Sequence, residues 1–213
     1  MRRVKQVAIK VCGMRDATNI RKVSELHPDY MGFIFYPKSK RYVGDDFVVP
    51  EIPKTIIKVG VFVNESTDVI SRLAKKCSMD HVQLHGDETP RQCSGLKALG
   101  FTVIKAFGVS EDFDFDVLDS YKNVCNYFLF DTKGKNYGGT GIAFNWDVLQ
   151  KYDQEVPFFL SGGLSLANAE NALNIKSMNI HALDVNSKFE IEPGVKDVAK
   201  LDELFKLRKE LVI

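Results

Sequence analysis

Eight short β-rich runs recur along this chain, with longer stretches of helical pattern between most of them. The runs cover 5–11, 30–35, 56–63, 80–84, 101–106, 126–130, 156–160 and 180–184, and each is rich in Val, Ile, Leu or Phe. Continuous apolar runs of four to eight residues read as strands buried on both faces, the state of strands in a parallel sheet covered by helices. Between them, Val69, Ile70, Leu73, Ala74 and Cys77 follow one buried helix face. Leu166, Ala169, Ala172 and Leu173 mark a second, and Val198, Leu201, Leu204, Phe205 and Leu211 a third. Asp16 is a candidate helix cap, as is Thr89, which has Pro90 at the first helical position. The segment "GDDFVVPEIPK" at 44–54 holds two prolines, so a helix there is expected to be short or absent.

This alternation fits either an open doubly wound sheet or a closed barrel. No G-x-G-x-x-G follows the first strand, which counts against a dinucleotide-binding sheet. Eight units within 213 residues match the lower size range of a barrel. The expected fold is α/β, a (β/α)₈ TIM barrel forming a single domain over residues 1–213.

A hydrophobic fraction of 45% supports one substantial core. The net charge of +1 gives no electrostatic case for nucleic acid or a membrane surface. No apolar run approaches the roughly 20 residues of a spanning helix. The basic N-terminus "MRRVKQ" leads into too short an apolar stretch for a secretory signal. A cytoplasmic protein with a small-molecule partner, no nucleic acid and no membrane is expected, as a monomer or homodimer. Its cysteines, Cys12, Cys77, Cys93 and Cys125, form no C-x-x-C pair and should be free thiols. His81 and His85 are four apart in "HVQLH", but that stretch alternates like a strand. It would hold them about 13 Å apart, too far to share a metal.

In a barrel of this kind the active site lies at the C-terminal ends of the strands. The first run ends in Lys10 and Cys12, the third near Asn64, the fourth in Gln83 and His85, and the fifth in Lys105. The loop after the second is "YPKSKRY", carrying Lys38, Lys40 and Arg41. The sixth ends in Asp131, before the glycine-rich "TKGKNYGGTG", which suggests a lid. The seventh ends in Ser161, Gly162 and Gly163, the eighth in Asp184, Asn186 and Ser187. Polar groups gathered at one end of apolar strands are hard to explain by packing. "LSGGL" with a helix start at Ser165, followed one strand later by "DVNS", favours a phosphate held on backbone N–H groups over a plain glycine turn. Cys12 alone reads more readily as an inert core thiol than as a reactive one. Asp131, closing "YFLFD", is either a loop cap or a functional acid.

The blocks "KVCGM", "GFIFYPKSKRYV", "VGVFVN", "VQLHG", "DTKGKNYGGTG", "LSGGL" and "DVNS…PGVKD" fall in a telling order. Together, over roughly residues 5–205, they resemble phosphoribosylanthranilate isomerase of tryptophan biosynthesis. The resemblance implies a (β/α)₈ barrel that converts N-(5-phosphoribosyl)anthranilate to 1-(2-carboxyphenylamino)-1-deoxyribulose 5-phosphate without cofactor or metal. It makes Cys12 the general base and Asp131 the general acid. It associates Arg41 with the anthranilate carboxylate. Lys10, His85 and Asp184 join Arg41 as candidate substrate-binding residues, and Ser161, Gly162, Gly163, Asn186 and Ser187 as candidate phosphate-binding ones. Lys188 departs from the family, which usually has glycine after the "DVNS" block.

The chemistry asks for one acid and one base on different sides of a small sugar. Lys10 and the cationic loop are expected to lower the Cys12 pKa from its ordinary value near 8.5. Asp131 must begin protonated, and a phosphate and carboxylate on the substrate would help it gain that proton. Two other functions compete: a barrel aldolase with Lys10 or Lys105 as Schiff-base nucleophile, and a barrel that binds a phosphosugar without turnover.

Overall fold

The computed structural model describes residues 6–132 and 145–211. Eight parallel strands close into a barrel in chain order. They are β1 (Ala8–Val11), β2 (Tyr30–Ile34), β3 (Ile57–Phe62), β4 (His81–Leu84), β5 (Thr102–Val109), β6 (Tyr127–Thr132), β7 (Phe158–Leu160) and β8 (Ile180–Val185). The ring closes where β8 pairs with β1, Lys10 opposite Asp184. All eight expected strands form, and β5 runs three residues past its expected end. The glycine-rich "TKGKNYGGTG", beyond Thr132, lies outside the described residues.

Five α-helices wrap the described barrel: α1 (Ala17–Ser24), α2 (Thr67–Lys76), α3 (Pro90–Ala98), α4 (Leu166–Asn174) and α5 (Val198–Glu210). The expected caps do their work. Asp16 accepts from the Asn19 N–H at 2.7 Å, and Thr89 Oγ1 from the Gln92 N–H at 3.3 Å, each filling a vacancy of the first turn. No helix joins β2 to β3. The 44–54 segment packs as a loop instead, Phe47 against Phe33 and the Cys77 thiol on the Phe47 carbonyl. Among the described residues after β5 and β6 only 3₁₀ turns form, Phe115–Ser120 and Trp146–Lys151. The first turn region carries "DFDFD", whose period-two alternation cannot make a 3.6-residue stripe. Phe113 and Phe115 pack there on Phe107 and Phe130.

Strand parity decides what faces the barrel axis, since successive side chains point to opposite faces. Ile9, Val11, Phe33, Phe62, Val82, Leu84, Phe128, Phe130 and Leu183 point outward, into the core beneath the helices. Tyr30, Val59, Ile104, Leu129, Phe159 and Ala182 fill the interior. Two residues further on, the same inward parity presents Val61, Asp131, Ser161 and Asp184 at the upper end.

Candidate active site

A cleft opens at the C-terminal ends of the strands. Its wall includes Cys12, His85, Asp131, Asp184, Ser161, Gly162, Gly163, Asn186 and Ser187, nine of the eleven residues singled out from the sequence. Ile34, Tyr36, Val61 and Val63 form an apolar side at and just past the ends of β2 and β3 that the sequence did not announce. Ser161 to Leu164, with Asn186 and Ser187, form the opposite side. Gly162 and Gly163 both have positive φ, 83° and 65°. A Cβ on Gly162 would lie 2.4 Å from Thr132 Oγ1 and 3.0 Å from Asp131 Oδ1, so only glycine lets this turn pass so close to the carboxylate.

Lys10 and Arg41 are not on the cleft wall. Lys10 is fully buried beneath it, with Nζ 2.8 Å from Asp184 Oδ1 and 2.7 Å from Gln83 Oε1. Burial pulls the Lys10 pKa down, but Asp184 and Cys12 outweigh burial and hold it above its ordinary value. Lys10 therefore acts on a substrate through its neighbours. Arg41 gives its Nε and Nη2 to the Glu190 carboxylate. Among the described residues its Nη1 has no hydrogen bond, so one edge of the guanidinium is left for a ligand.

Glu190 and Lys196 were missed from the sequence. Lys196 is fully buried, with Nζ 2.6 Å from both Glu190 Oε1 and Asn186 Oδ1. Burial pulls its pKa down to about 8 against the pull of Glu190. Their signal was the charge in "KFEIEPGVKD": an acid and a base six apart, bracketing Pro-Gly. The strands β9 (Glu190–Glu192) and β10 (Val195–Lys196) fold that stretch into a hairpin and bring the two together.

The expected lowering of the Cys12 pKa is corrected. Burial raises it, and although Lys10 and Lys196 pull the other way, the net shift is upward. The thiol is 4% exposed, and desolvation of a thiolate at such a site outweighs two cations that are themselves partly neutralised by Asp184 and Glu190. Asp131 Oδ1 accepts from the Thr132 N–H at 2.8 Å, while Oδ2 lies 3.5 Å from His85 Nε2. His81, by contrast, packs against Tyr30 and shares no partner with His85. No group of three or more His, Cys, Asp or Glu among the described residues could hold a metal ion.

A Schiff-base lysine finds no support here. Lys105 is buried, its Nζ donating to the carbonyls of Leu84, Gly86 and Ala106 and lying 3.2 Å from Glu88. Like Lys10, it has no free amine facing the cleft. Lys188 is exposed in the 3₁₀ turn Ser187–Phe189 and is not on the cleft wall.

A model of the family described as N-(5'phosphoribosyl)anthranilate (PRA) isomerase matches residues 9–207. The N-(5'-phosphoribosyl)anthranilate isomerase of Phocaeicola vulgatus is 44% identical over 205 residues, 96% of this chain and 98% of that one. The crystal structure of the enzyme from Thermotoga maritima superposes with a TM-score of 0.83 at 34% identity, over 96% of this chain and 99% of that one. A phosphoribosyl anthranilate isomerase in complex with reduced 1-(o-carboxyphenylamino)-1-deoxyribulose 5-phosphate does so with a TM-score of 0.80 at 31% identity, over 96% and 99%. The chain belongs to the phosphoribosylanthranilate isomerase family.

Proposed function

We propose that the cleft isomerises N-(5-phosphoribosyl)anthranilate to 1-(2-carboxyphenylamino)-1-deoxyribulose 5-phosphate, with Asp131 as general acid and Cys12 as general base. The observation that carries this is the shared cleft: a thiol just past β1 and a carboxylate on β6 face it between an apolar wall and a small-residue wall. The aromatic ring lies along Ile34, Tyr36, Val61 and Val63, with its carboxylate toward the free edge of Arg41. The phosphate lies against Ser161, Gly162, Gly163, Asn186 and Ser187, where two successive positive-φ glycines turn backbone N–H groups toward an anion.

Asp131 gains its proton as the dianionic substrate binds, then gives it to the ribose ring oxygen. The ring C–O bond breaks and a Schiff base forms. Cys12, having released its thiol proton to solvent, takes the proton from ribose carbon 2, and the resulting enolamine tautomerises to the ketone; the protonated thiol and the ionised Asp131 then reset by proton exchange with solvent. No step needs an oxidant, a metal or a covalent intermediate. The reaction unit is the single barrel domain, in a cytoplasmic monomer or homodimer. Among the described residues no helix is long and apolar enough to cross a membrane.

The test is the loss of substrate fluorescence on adding enzyme, with Cys12→Ser and Asp131→Asn beside wild type. Each variant is expected to lose about 10²- to 10⁴-fold in kcat. Full activity in both would overturn the assignment of acid and base. A barrel that only binds a phosphosugar would show no fluorescence loss even with wild type.

A further inference from the structure

Three hydrogen-bonding groups connect the base side of the cleft to the acid side. Lys10 Nζ lies 2.7 Å from Gln83 Oε1. Gln83 Nε2 lies 2.8 Å from His85 Nδ1. His85 Nε2 lies 3.5 Å from Asp131 Oδ2. We propose that Gln83 is a positioning residue of the isomerisation, oriented by Lys10 so that it fixes the His85 imidazole with its Nε2–H toward Asp131. This deepens the isomerase reading and rests on Asp131 being the acid.

Donor and acceptor chemistry determines each orientation in turn. An ammonium only donates, so it must meet the oxygen of the Gln83 amide. The amide is thereby prevented from flipping, and its NH₂ group is the one that meets His85. An NH₂ group only donates, so His85 Nδ1 must be the acceptor and carry no proton. A neutral imidazole with an unprotonated Nδ1 carries its hydrogen on Nε2. Lys10 is itself anchored by Asp184 at 2.8 Å and Gln83 is buried, so the Gln83 amide is held in this orientation. Parity turns Gln83 of β4 and His85, the residue just past its end, to the same inward side, two residues apart.

The consequence falls on Asp131 after it has given up its proton. Oδ1 is held by the Thr132 N–H, leaving Oδ2 toward His85. The Nε2–H then stabilises the carboxylate that forms as the ribose ring opens. The other tautomer would set a nitrogen lone pair against that charge. Because the interaction strengthens as charge develops on Asp131, losing it lowers kcat more than it raises KM.

The experiment is a long-range ¹H–¹⁵N correlation spectrum of the full chain labelled in its histidines, with His85 assigned by its loss in His85→Gln. Wild type is expected to show His85 with the proton on Nε2 and a bare Nδ1. Gln83→Glu is nearly the same shape but offers only acceptors to both neighbours, so it should move a proton onto Nδ1. With that change kcat should fall by about 10- to 100-fold, and KM should stay within about threefold. Gln83→Met removes both functions and should leave a mixture of tautomers; it serves if the glutamate variant does not fold. A wild-type His85 with its proton on Nδ1 would overturn the inference. So would a tautomer shift in Gln83→Glu that leaves kcat unchanged. The spectrum needs no turnover, so failure of the isomerase reading itself would show separately, as wild type inactive on the phosphoribosyl substrate.

Discussion

Arg41 and Glu190, 149 residues apart in the chain, form a two-pronged ion pair, Nε to Oε1 at 2.8 Å and Nη2 to Oε2 at 2.6 Å. Glu190 also accepts from buried Lys196, so one carboxylate holds two cations beside Cys12. Burial would raise the Glu190 pKa, but Arg41 and Lys196 outweigh it and hold it below the usual range. The pair fixes which edge of Arg41 can meet a substrate carboxylate. Glu190→Gln keeps the shape and removes the charge. KM should rise about tenfold, or ~1.4 kcal/mol, with kcat little changed. Stability should fall by roughly 3 kcal/mol, because Lys196 is left buried without its counter-charge. Steady-state kinetics and urea denaturation measure the two effects, and an unchanged KM would remove Glu190 from the substrate's account of Arg41.

Gly32 on β2 faces Cys12 across the first strand pair. A Cβ there would lie 2.8 Å from Cys12 Sγ and 3.3 Å from Lys10 Cε. The β1–β2 ladder fixes both backbones, Val11 opposite Met31, so the thiol would have to move. Gly32→Ala is expected to cost about 10²-fold in kcat, the scale of a 1 Å misplacement of a reacting group. Overpacking should add about 1–3 kcal/mol of instability. Activity at wild-type level with an unshifted melting midpoint would show that the space behind Cys12 is slack.

Strand parity explains how much of this site was legible in the sequence. Cys12, Asp131, Ser161 and Asp184 each stand immediately after an apolar residue at the end of a strand-like run, at positions local periodicity can mark. The caps Asp16 and Thr89 were legible because their partners are three residues away. The Glu190–Arg41 pair was not, since nothing local links residues 149 apart. The direction of the Cys12 shift was misjudged because sequence shows the nearby cations but not the depth of burial that opposes them. The 3₁₀ turn after β5 also escaped, Phe113 and Phe115 being placed by tertiary packing on Phe107, Phe130 and Tyr152 rather than by helical spacing.

Through Glu88, Lys105 ties the loop after β4 to the loop after β3. Its Nζ holds the carbonyls of Leu84 and Gly86, which flank His85, and pairs with Glu88. Glu88 accepts in turn from the N–H groups of Asn64 and Gly86. Lys105→Met leaves that carboxylate buried and unpaired, and should cost about 3–5 kcal/mol. At roughly 2–4 °C per kcal/mol for a chain of this size, the melting midpoint should fall by on the order of 10 °C. The double variant with Glu88→Gln should recover part of the loss, since it removes the stranded charge. A double variant no more stable than Lys105→Met would place the cost in lost packing instead.

Lys196 makes a prediction in pH. Its folded pKa is drawn down to about 8 by burial, against the pull of Glu190. In the unfolded chain a lysine titrates near 10.4. Between those values the unfolded chain holds a proton that the folded chain has released. The unfolded state binds more protons there, so this group makes stability rise with pH across the window. Below it, both states are protonated and the folded state bears the burial of the charge. Lys196→Met lacks the titration. The unfolding free energy of wild type minus that of the variant should therefore grow from about pH 7.5 to about pH 10.5, by roughly 3 kcal/mol. Urea unfolding followed by far-ultraviolet circular dichroism at several pH values measures it. A difference that stays flat, or falls, would mean that Glu190 keeps Lys196 charged throughout and that burial is the weaker force at this site.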